Sequence, residues 1–355
     1  MQTYSVIMAG GGGTRFWPLS RQCHPKQLLN LSGNDFMINE TIKRNQDIIP
    51  AVNTYIVTNK SQEETLKQVL MDGVDHGNIL IEPVGRNTTA CIGFAAAKIQ
   101  KAHGDSLLCI FPSDAYINRL DEYSTALEKA VAHAASGEDF VTLGIEPGFA
   151  ATGYGYIKYE RSTRQGDVYR VEEFVEKPGI DKAKSYVKSG KYLWNSGIIV
   201  SRSSVVLKNI ERYLPRLFKQ LEALSQYFGT DREAEMTESI YPQLQSISFD
   251  YGVLERSDDV MVIPGNFGWN DVGSWDMLGV LVPPDEDGNI IKSEHIGIDT
   301  KNSIIYGKKL IATIGLENMI VVNTDDSLLI CPKSRAQEVK EIVELLREKG
   351  NTQYL

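Results

Sequence analysis

An α/β protein on a mostly parallel sheet flanked by helices is the fold class this sequence predicts. Three observations predict it. Short apolar runs alternate with helix-like segments through the first two-thirds of the chain. Several of those runs stop at polar or glycine-rich turns that fall on one side of the implied sheet. Beyond about residue 280 the pattern changes to short β-like runs separated by turn residues. At 355 residues the chain suits one large domain with a smaller appendage.

The elements follow in order. Tyr4 to Met8 is a short apolar strand that runs into glycines. Thr54 to Val57 is a second strand. The helix-like segment Ser61 to Met71 follows, where Ser61 and Glu64 make a capping box. Ile79 to Ile81 is a short strand, and Thr89 to Ala102 an alanine-rich buried helix. Leu107 to Phe111 is a fully apolar strand that stops at Pro112-Ser113-Asp114. Tyr123 to Ala135 reads as a helix and Phe140 to Leu143 as a strand. Alternation of this kind favours a parallel sheet covered on both faces. Such sheets bind ligands outside the carboxyl ends of their strands, and Gly10 to Arg15, Glu82 to Asn87 and Ser113 to Asp114 all lie there.

The turn cluster Pro283 to Asn289 opens the tail, so the expected division is 1–284 and 285–355. The tail carries β-like runs at Asn289 to Ile291, Ser303 to Tyr306, Leu310 to Ile314, Met319 to Val322 and Leu328 to Ile330. A closing helix, Arg335 to Lys349, has Val339, Ile342, Leu345 and Leu346 as its apolar stripe. Its β-edges and amphipathic helix offer a homodimer surface, with self-contained packing as the plainer account.

Composition narrows the class. The formal net charge is -9 and the pI about 5.2, which argues against nonspecific nucleic-acid binding. The first residues lack a basic n-region, and no run of eighteen apolar residues appears, so neither secretion nor a membrane span is expected. Cys23, Cys91, Cys109 and Cys331 are scattered and read as reduced thiols in a cytoplasmic protein.

The chemistry concentrates at Gly10-Gly11-Gly12-Gly13-Thr14-Arg15. Glycines after a strand let backbone N–H groups approach phosphate oxygens. No Gly-Lys-Ser/Thr follows, so this is not a P-loop, and Arg15 stands where a Rossmann fingerprint needs its third glycine. Glycines alone are equally a tight turn. Arg15, Arg21 and Lys26 close behind, in an acidic chain, turn the reading toward a triphosphate grip.

The stretch GGGGTRFWPLSRQCHPKQ resembles the opening signature of sugar-1-phosphate nucleotidyltransferases, and within them the mannose-1-phosphate guanylyltransferases. The resemblance continues through Glu82-Pro83, Arg86-Asn87-Thr88, Pro112-Ser113-Asp114, Thr152 to Ile157, Phe174 to Pro178, Trp194 to Gly197 and Trp269 to Trp275. It covers nearly the whole chain. It implies the nucleotidyltransferase fold, a Rossmann-like mixed sheet with a small β-helix-like C-terminal domain. It also implies GMP transfer from GTP to mannose 1-phosphate with release of pyrophosphate, by direct displacement without a protein nucleophile.

The resemblance further implies roles. Arg15 and Lys26 would offset phosphate charge, and Asp114 and Asp271 would hold Mg²⁺. Gly10 to Thr14, Glu82, Arg86, Asn87 and Thr88 would bind the nucleotide, with Glu82 and Asn87 reading guanine and Arg86 either reaching the triphosphate or holding its loop. Gly155, Glu176, Lys177 and Asn195 would bind the sugar phosphate. Trp194 and Trp269 are expected as anchors without chemistry. The chain departs from the family at Ala115, where His is common, and at Thr89-Ala90-Cys91 after Thr88. Three rivals stand beside this reading. One is the same transfer to a heptose, fucose or glucose 1-phosphate. Another is a glycosyltransferase, which would normally carry an Asp-x-Asp motif at a strand end. The third is a non-catalytic homologue that binds GDP-mannose.

Overall fold

The computed structural model describes residues 1–163 and 166–355. A nine-stranded sheet organises the larger part. In chain order come β1 (Thr3–Met8), β2 (Thr54–Asn59), β3 (Ile79–Glu82) and β4 (Leu107–Pro112). A short β5 (Tyr116–Ile117) follows, then β6 (Phe140–Ile145), β7 (Tyr156–Tyr159), β8 (Tyr169–Val175), β9 (Tyr192–Arg202) and β10 (Val260–Gly265). β11 (Trp269–Asn270) pairs with β5 outside the sheet, whose order is β3-β2-β1-β4-β9-β6-β10-β8-β7. Only β8 and β9 run against the rest.

The apolar runs form strands because both faces of the sheet are covered. Val6, Ile7, Leu108 and Ile110 are fully buried, as expected for parallel strands under helices. The helix Asn87–His103 lies against the sheet, and two more, Ser203–Tyr213 and Pro215–Ser225, lie against it. Gly93 allows that approach, since a Cβ there would meet Leu221 Cδ1 at 2.5 Å and Ile210 Cδ1 at 3.0 Å.

The tail folds as stacked β-turns. β12 (Ile290–Lys292), β14 (Ile304–Gly307) and β16 (Met319–Asn323) pair in parallel, and β17 (Leu328–Pro332) closes that sheet antiparallel. β13 (His295–Ile298) and β15 (Ile311–Ile314) form a second parallel layer. This is β-helix-like, with β13 an addition to the expected runs. The tail is not an independent satellite. Its Ile304, Ile320, Val322, Val339 and Val343 share one core with Phe16, Trp17, Val272 and Trp275. The Trp275 indole N–H donates to the Trp17 carbonyl at 3.1 Å, and Arg21 pairs with Asp326 at 2.6 Å.

Two expectations need correction. The capping box at Ser61 does not form. The helix is Glu63–Val69, its cap position is Gln62, and Ser61 donates to Asn59. Gln62 is drawn inward instead, 2% exposed, and its side-chain amide donates to Gly11 O at 3.2 Å. The closing helix is Val339–Glu348, preceded by a 3₁₀ turn. It buries Val339 and Val343, whereas Ile342 and Leu345 are 39% and 46% exposed. The face that meets Phe16 and Trp17 fixes its rotation, and that partner lies far away in sequence.

Candidate functional site

The glycine turn leaves β1 with its carbonyls held from behind. Gln27 Nε2 donates to Ala9 O at 2.6 Å and Gly11 O at 3.0 Å. Asn59 Nδ2 donates to Gly10 O at 3.4 Å, and Ser20 Oγ to Gly13 O at 2.8 Å. Among the described residues no acceptor engages the backbone N–H groups of Gly11, Gly12, Gly13, Thr14 or Arg15. A turn with most of its carbonyls engaged from behind and its amide donors open has the form of an anion cradle.

Lys26 sits beneath this turn, 4% exposed. Its Nζ donates to Asp114 O at 2.8 Å and Asp114 Oδ2 at 2.9 Å, and also to the Asp271 carbonyl. One ammonium therefore ties the loop after β4 to the loop after β11. Gly13, Thr14, Arg15, Phe16, Lys26, Asp114, Asp271, Gly273 and Lys340 line a single cavity. Arg15 is exposed, and among the described residues its one side-chain hydrogen bond is to Gly273 O at 3.4 Å. Asp271 is steered from the other side, where the Tyr154 hydroxyl donates to its Oδ1 at 2.6 Å. Burial, and then the Asp271 charge, push the Tyr154 hydroxyl's pKa upward, so it stays a donor.

The Glu82 loop adjoins the turn. Glu82 is 4% exposed and its Oε1 accepts from the Tyr241 hydroxyl. Its Oε2 lies against Gly10, where a Cβ would come within 2.8 Å. Burial raises the Glu82 carboxyl to about 7, partly offset by the Tyr241 bond. Arg86 donates to Pro242 O, a bond that braces its loop. Asn87 opens the following helix with φ 65. Thr88 Oγ1 accepts from Phe249 N at 2.7 Å.

Asp250, next to Phe249, belongs to the third cluster. Asn195 Nδ2 donates to Asp250 Oδ1 at 3.0 Å, and Asn195 Oδ1 accepts from Thr142 Oγ1 at 3.1 Å. Asn195 N donates to Gly155 O at 2.8 Å. A Cβ at Gly155 would stand 2.5 Å from Glu176 Oε2, so only glycine lets that carboxylate in. Lys177 pairs with Glu176, and Glu176 N donates to Glu255 Oε1 at 2.9 Å. Burial and the Glu176 charge raise the Asp250 carboxyl to about 6.

The structure thus gathers every expected site residue into three adjoining clusters. Glu82 against Gly10 joins the Glu82 loop to the glycine turn. Tyr154, bonded to Asp271 and followed by Gly155, joins the cavity below the glycine turn to the third cluster. Asn87, Lys177 and Val272 carry positive φ without being glycine, at 65, 47 and 44 degrees. A β-branched residue such as Val272 holds that conformation only under constraint, and such strain concentrates at ligand-binding loops. Trp194 and Trp269 pack edge-on against Tyr154 at 5.2 and 5.3 Å, so they anchor it as expected. Sequence reading missed Tyr154, Tyr241, Asp250 and Lys340. The motif containing Tyr154 was visible, but nothing local marked its hydroxyl.

Residues 4–281 match the family described as Nucleotidyl transferase, and residues 293–346 the family described as MannoseP isomerase/GMP-like beta-helix domain. The chain is 38% identical over 351 residues to the Xanthan biosynthesis protein XanB of Xanthomonas campestris pv. campestris (strain B100), covering 98% of this chain and 74% of that one. It is 37% identical over 359 residues to the Mannose-1-phosphate guanylyltransferase RfbM of Salmonella typhimurium, covering 100% and 74%. A solved structure from Thermus thermophilus, described as a mannose-1-phosphate geranyltransferase, superposes with a TM-score of 0.88 at 33% identity, covering 98% of this chain and 100% of that one.

Proposed function

The chain belongs to the nucleotidyl transferase family, and from that premise we propose that it transfers GMP from GTP to α-D-mannose 1-phosphate, releasing pyrophosphate. The observation that carries the proposal is the glycine turn, with five backbone donors open above Lys26 and beside Arg15. The names of the relatives support guanine and mannose. Residues 1–284 are the proposed catalytic unit, with 285–355 as the β-rich appendage.

A phosphate oxygen of the sugar phosphate attacks the α-phosphorus, and pyrophosphate leaves opposite. The protein supplies position and charge. The open amides and Arg15 hold the triphosphate, and Lys26 faces the α-phosphate. Asn195, Glu176 and Asp250 orient sugar hydroxyls, and Lys177 takes the sugar's phosphate. Asp114 and Asp271 share the cavity, and among the described residues no cluster of three or more His, Cys, Asp or Glu forms a closed metal site. Two carboxylates beside a phosphate cradle fit Mg²⁺, which takes its other ligands from phosphate and water. When bound there, it neutralises charge on the transferring phosphate.

Pyrophosphate release, measured for a panel of nucleoside triphosphates against mannose, glucose, fucose and heptose 1-phosphates, tests the proposal. GTP with mannose 1-phosphate is expected to give the highest kcat/KM. No release from any pair, with GDP-mannose still bound, would make the chain a regulatory homologue.

Glu82 gives a pH prediction. Its ionised carboxylate is the form that accepts from guanine N1–H and N2–H. Since its pKa is about 7, kcat/KM for GTP rises with pH up to and through that value. Stability moves the other way. A carboxyl raised on folding contributes stability present below its unfolded pKa and lost as pH rises through about 7. Glu82→Gln flattens the acidic limb and narrows the preference for GTP over ATP. An unchanged limb in that variant removes Glu82 from base reading.

No helix among the described residues is long and apolar enough to cross a membrane, which suits the proposed cytoplasmic location. Homodimerisation through the appendage is proposed as well. Ile296, Ile298 and Ile314, on the β13–β15 layer, are 63%, 57% and 79% exposed, an apolar patch of the kind that marks interfaces. Light scattering is expected to give a dimer for the wild type and a monomer for Ile298→Asp with Ile314→Asp. A monomeric wild type overturns this.

A further inference from the structure

Lys340 stands apart from the other residues of the Lys26 cavity because it belongs to the appendage, on the helix Val339–Glu348. Its neighbours Val339 and Val343 are 3% and 6% exposed and pack in the core that holds Phe16 and Trp17. That packing fixes the helix over the glycine turn. The preceding Gln337 Nε2 donates to Ser274 Oγ at 2.6 Å, which ties the same segment to the Asp271 loop. Lys340 consequently lines the cavity of Gly13, Thr14, Arg15, Lys26, Asp114 and Asp271.

The charges in that cavity are unequal in availability. Lys26 is paired with Asp114 and contacts two carbonyls. Arg15 makes one long bond to a carbonyl. Lys340 is exposed and, among the described residues, its ammonium makes no hydrogen bond or ion pair. A nucleoside triphosphate brings a charge of about -4 toward two carboxylates, so an uncommitted ammonium is what the cavity needs.

We propose that Lys340 binds the β- and γ-phosphates of the nucleotide, the group that leaves as pyrophosphate, so that the β-rich appendage completes the nucleotide site. In-line displacement puts the leaving group opposite the attacking oxygen. The sugar cluster of Gly155, Glu176 and Asn195 reaches the cavity through Tyr154 and Asp271. Lys340 reaches it from the appendage, on a helix whose Val339 and Val343 pack with Phe16 and Trp17. The inference rests on the nucleotidyl-transfer reading and assigns a binding role within it.

The test uses the full chain with Lys340→Met, Lys340→Arg and Lys349→Met. Lys349 is exposed on the same segment and lines none of that cavity, so its variant controls for net charge. Lys340→Met is expected to raise KM for GTP and the inhibition constant of inorganic pyrophosphate together, each roughly tenfold or more, as for loss of a charged hydrogen bond. KM for the sugar phosphate and the melting temperature stay put. Lys340→Arg recovers most of the loss and Lys349→Met shows none. GTP and pyrophosphate constants within about twofold of wild type in Lys340→Met overturn the proposal, as does an equal loss in Lys349→Met. If the wild type releases no pyrophosphate at all, the parent reading fails instead. Calorimetric binding of pyrophosphate alone, weakened or not in Lys340→Met, then decides the role of Lys340.

Discussion

Lys26→Ala lowers kcat/KM for GTP by at least about 10²–10³-fold while the chain stays folded. Two losses combine in that variant. The ammonium proposed to face the α-phosphate disappears, and so does the group that neutralises Asp114 and ties its loop to the Asp271 carbonyl. Two carboxylates would then meet an incoming polyanion with Arg15 and Lys340 as the cavity cations left among the described residues. Folding suffers less, because the Asp114 side chain is 37% exposed and water solvates it once its partner is gone. Steady-state kinetics beside a thermal melt separates the two effects. Lys26→Arg is not expected to rescue, since three acceptors converge on one nitrogen at a site 4% exposed, and a planar guanidinium does not fit that geometry. Near-normal turnover in a folded Lys26→Ala protein removes Lys26 from the mechanism.

What was legible in the sequence was local or carried by the resemblance. The glycine turn, the strand-end positions of Glu82 and Asp114 and the change of pattern near residue 285 each sit within a few residues of their signal. The resemblance supplied Asp271 and the sugar-binding set. What was not legible depends on partners far along the chain. Ser61 with Glu64 has the form of a capping box, yet the buried amide network of Gln27 and Gln62 behind Gly11 decides that turn. Ile342 and Leu345 fit a helical stripe, yet docking on Phe16 and Trp17 selects Val339 and Val343. Tyr154 meets Asp271 across 117 positions and Tyr241 meets Glu82 across 159. No periodicity reports such pairs. Lys26 looked like a free phosphate ligand. The structure makes it a brace first, since Asp114 occupies it before any substrate arrives.

The four glycines, alike in the sequence, separate under substitution. An alanine at Gly13 is expected to cost about as much activity as the loss of Lys26. Gly13 has φ 55, and a Cβ there would lie 2.5 Å from Lys26 Cβ and 2.6 Å from Lys26 N. The second contact is with backbone, so no rotamer change relieves it. The left-handed conformation alone costs alanine roughly 1–2 kcal/mol, and overpacking adds about 1–3 kcal/mol. The cheapest relief moves Lys26 away from Asp114 and the turn, which takes the ammonium out of register with the phosphate. Gly11 is the internal control, because a Cβ there meets nothing within 4 Å. Gly11→Ala is therefore expected to melt with the wild type, and Gly13→Ala several degrees lower with kcat/KM down at least about 10²-fold. Melting curves and pyrophosphate release on the two variants read this directly. If they melt and turn over alike, the close approach of Gly13 to Lys26 is not what shapes the site, and the phosphate grip would have to rest on the open amides alone.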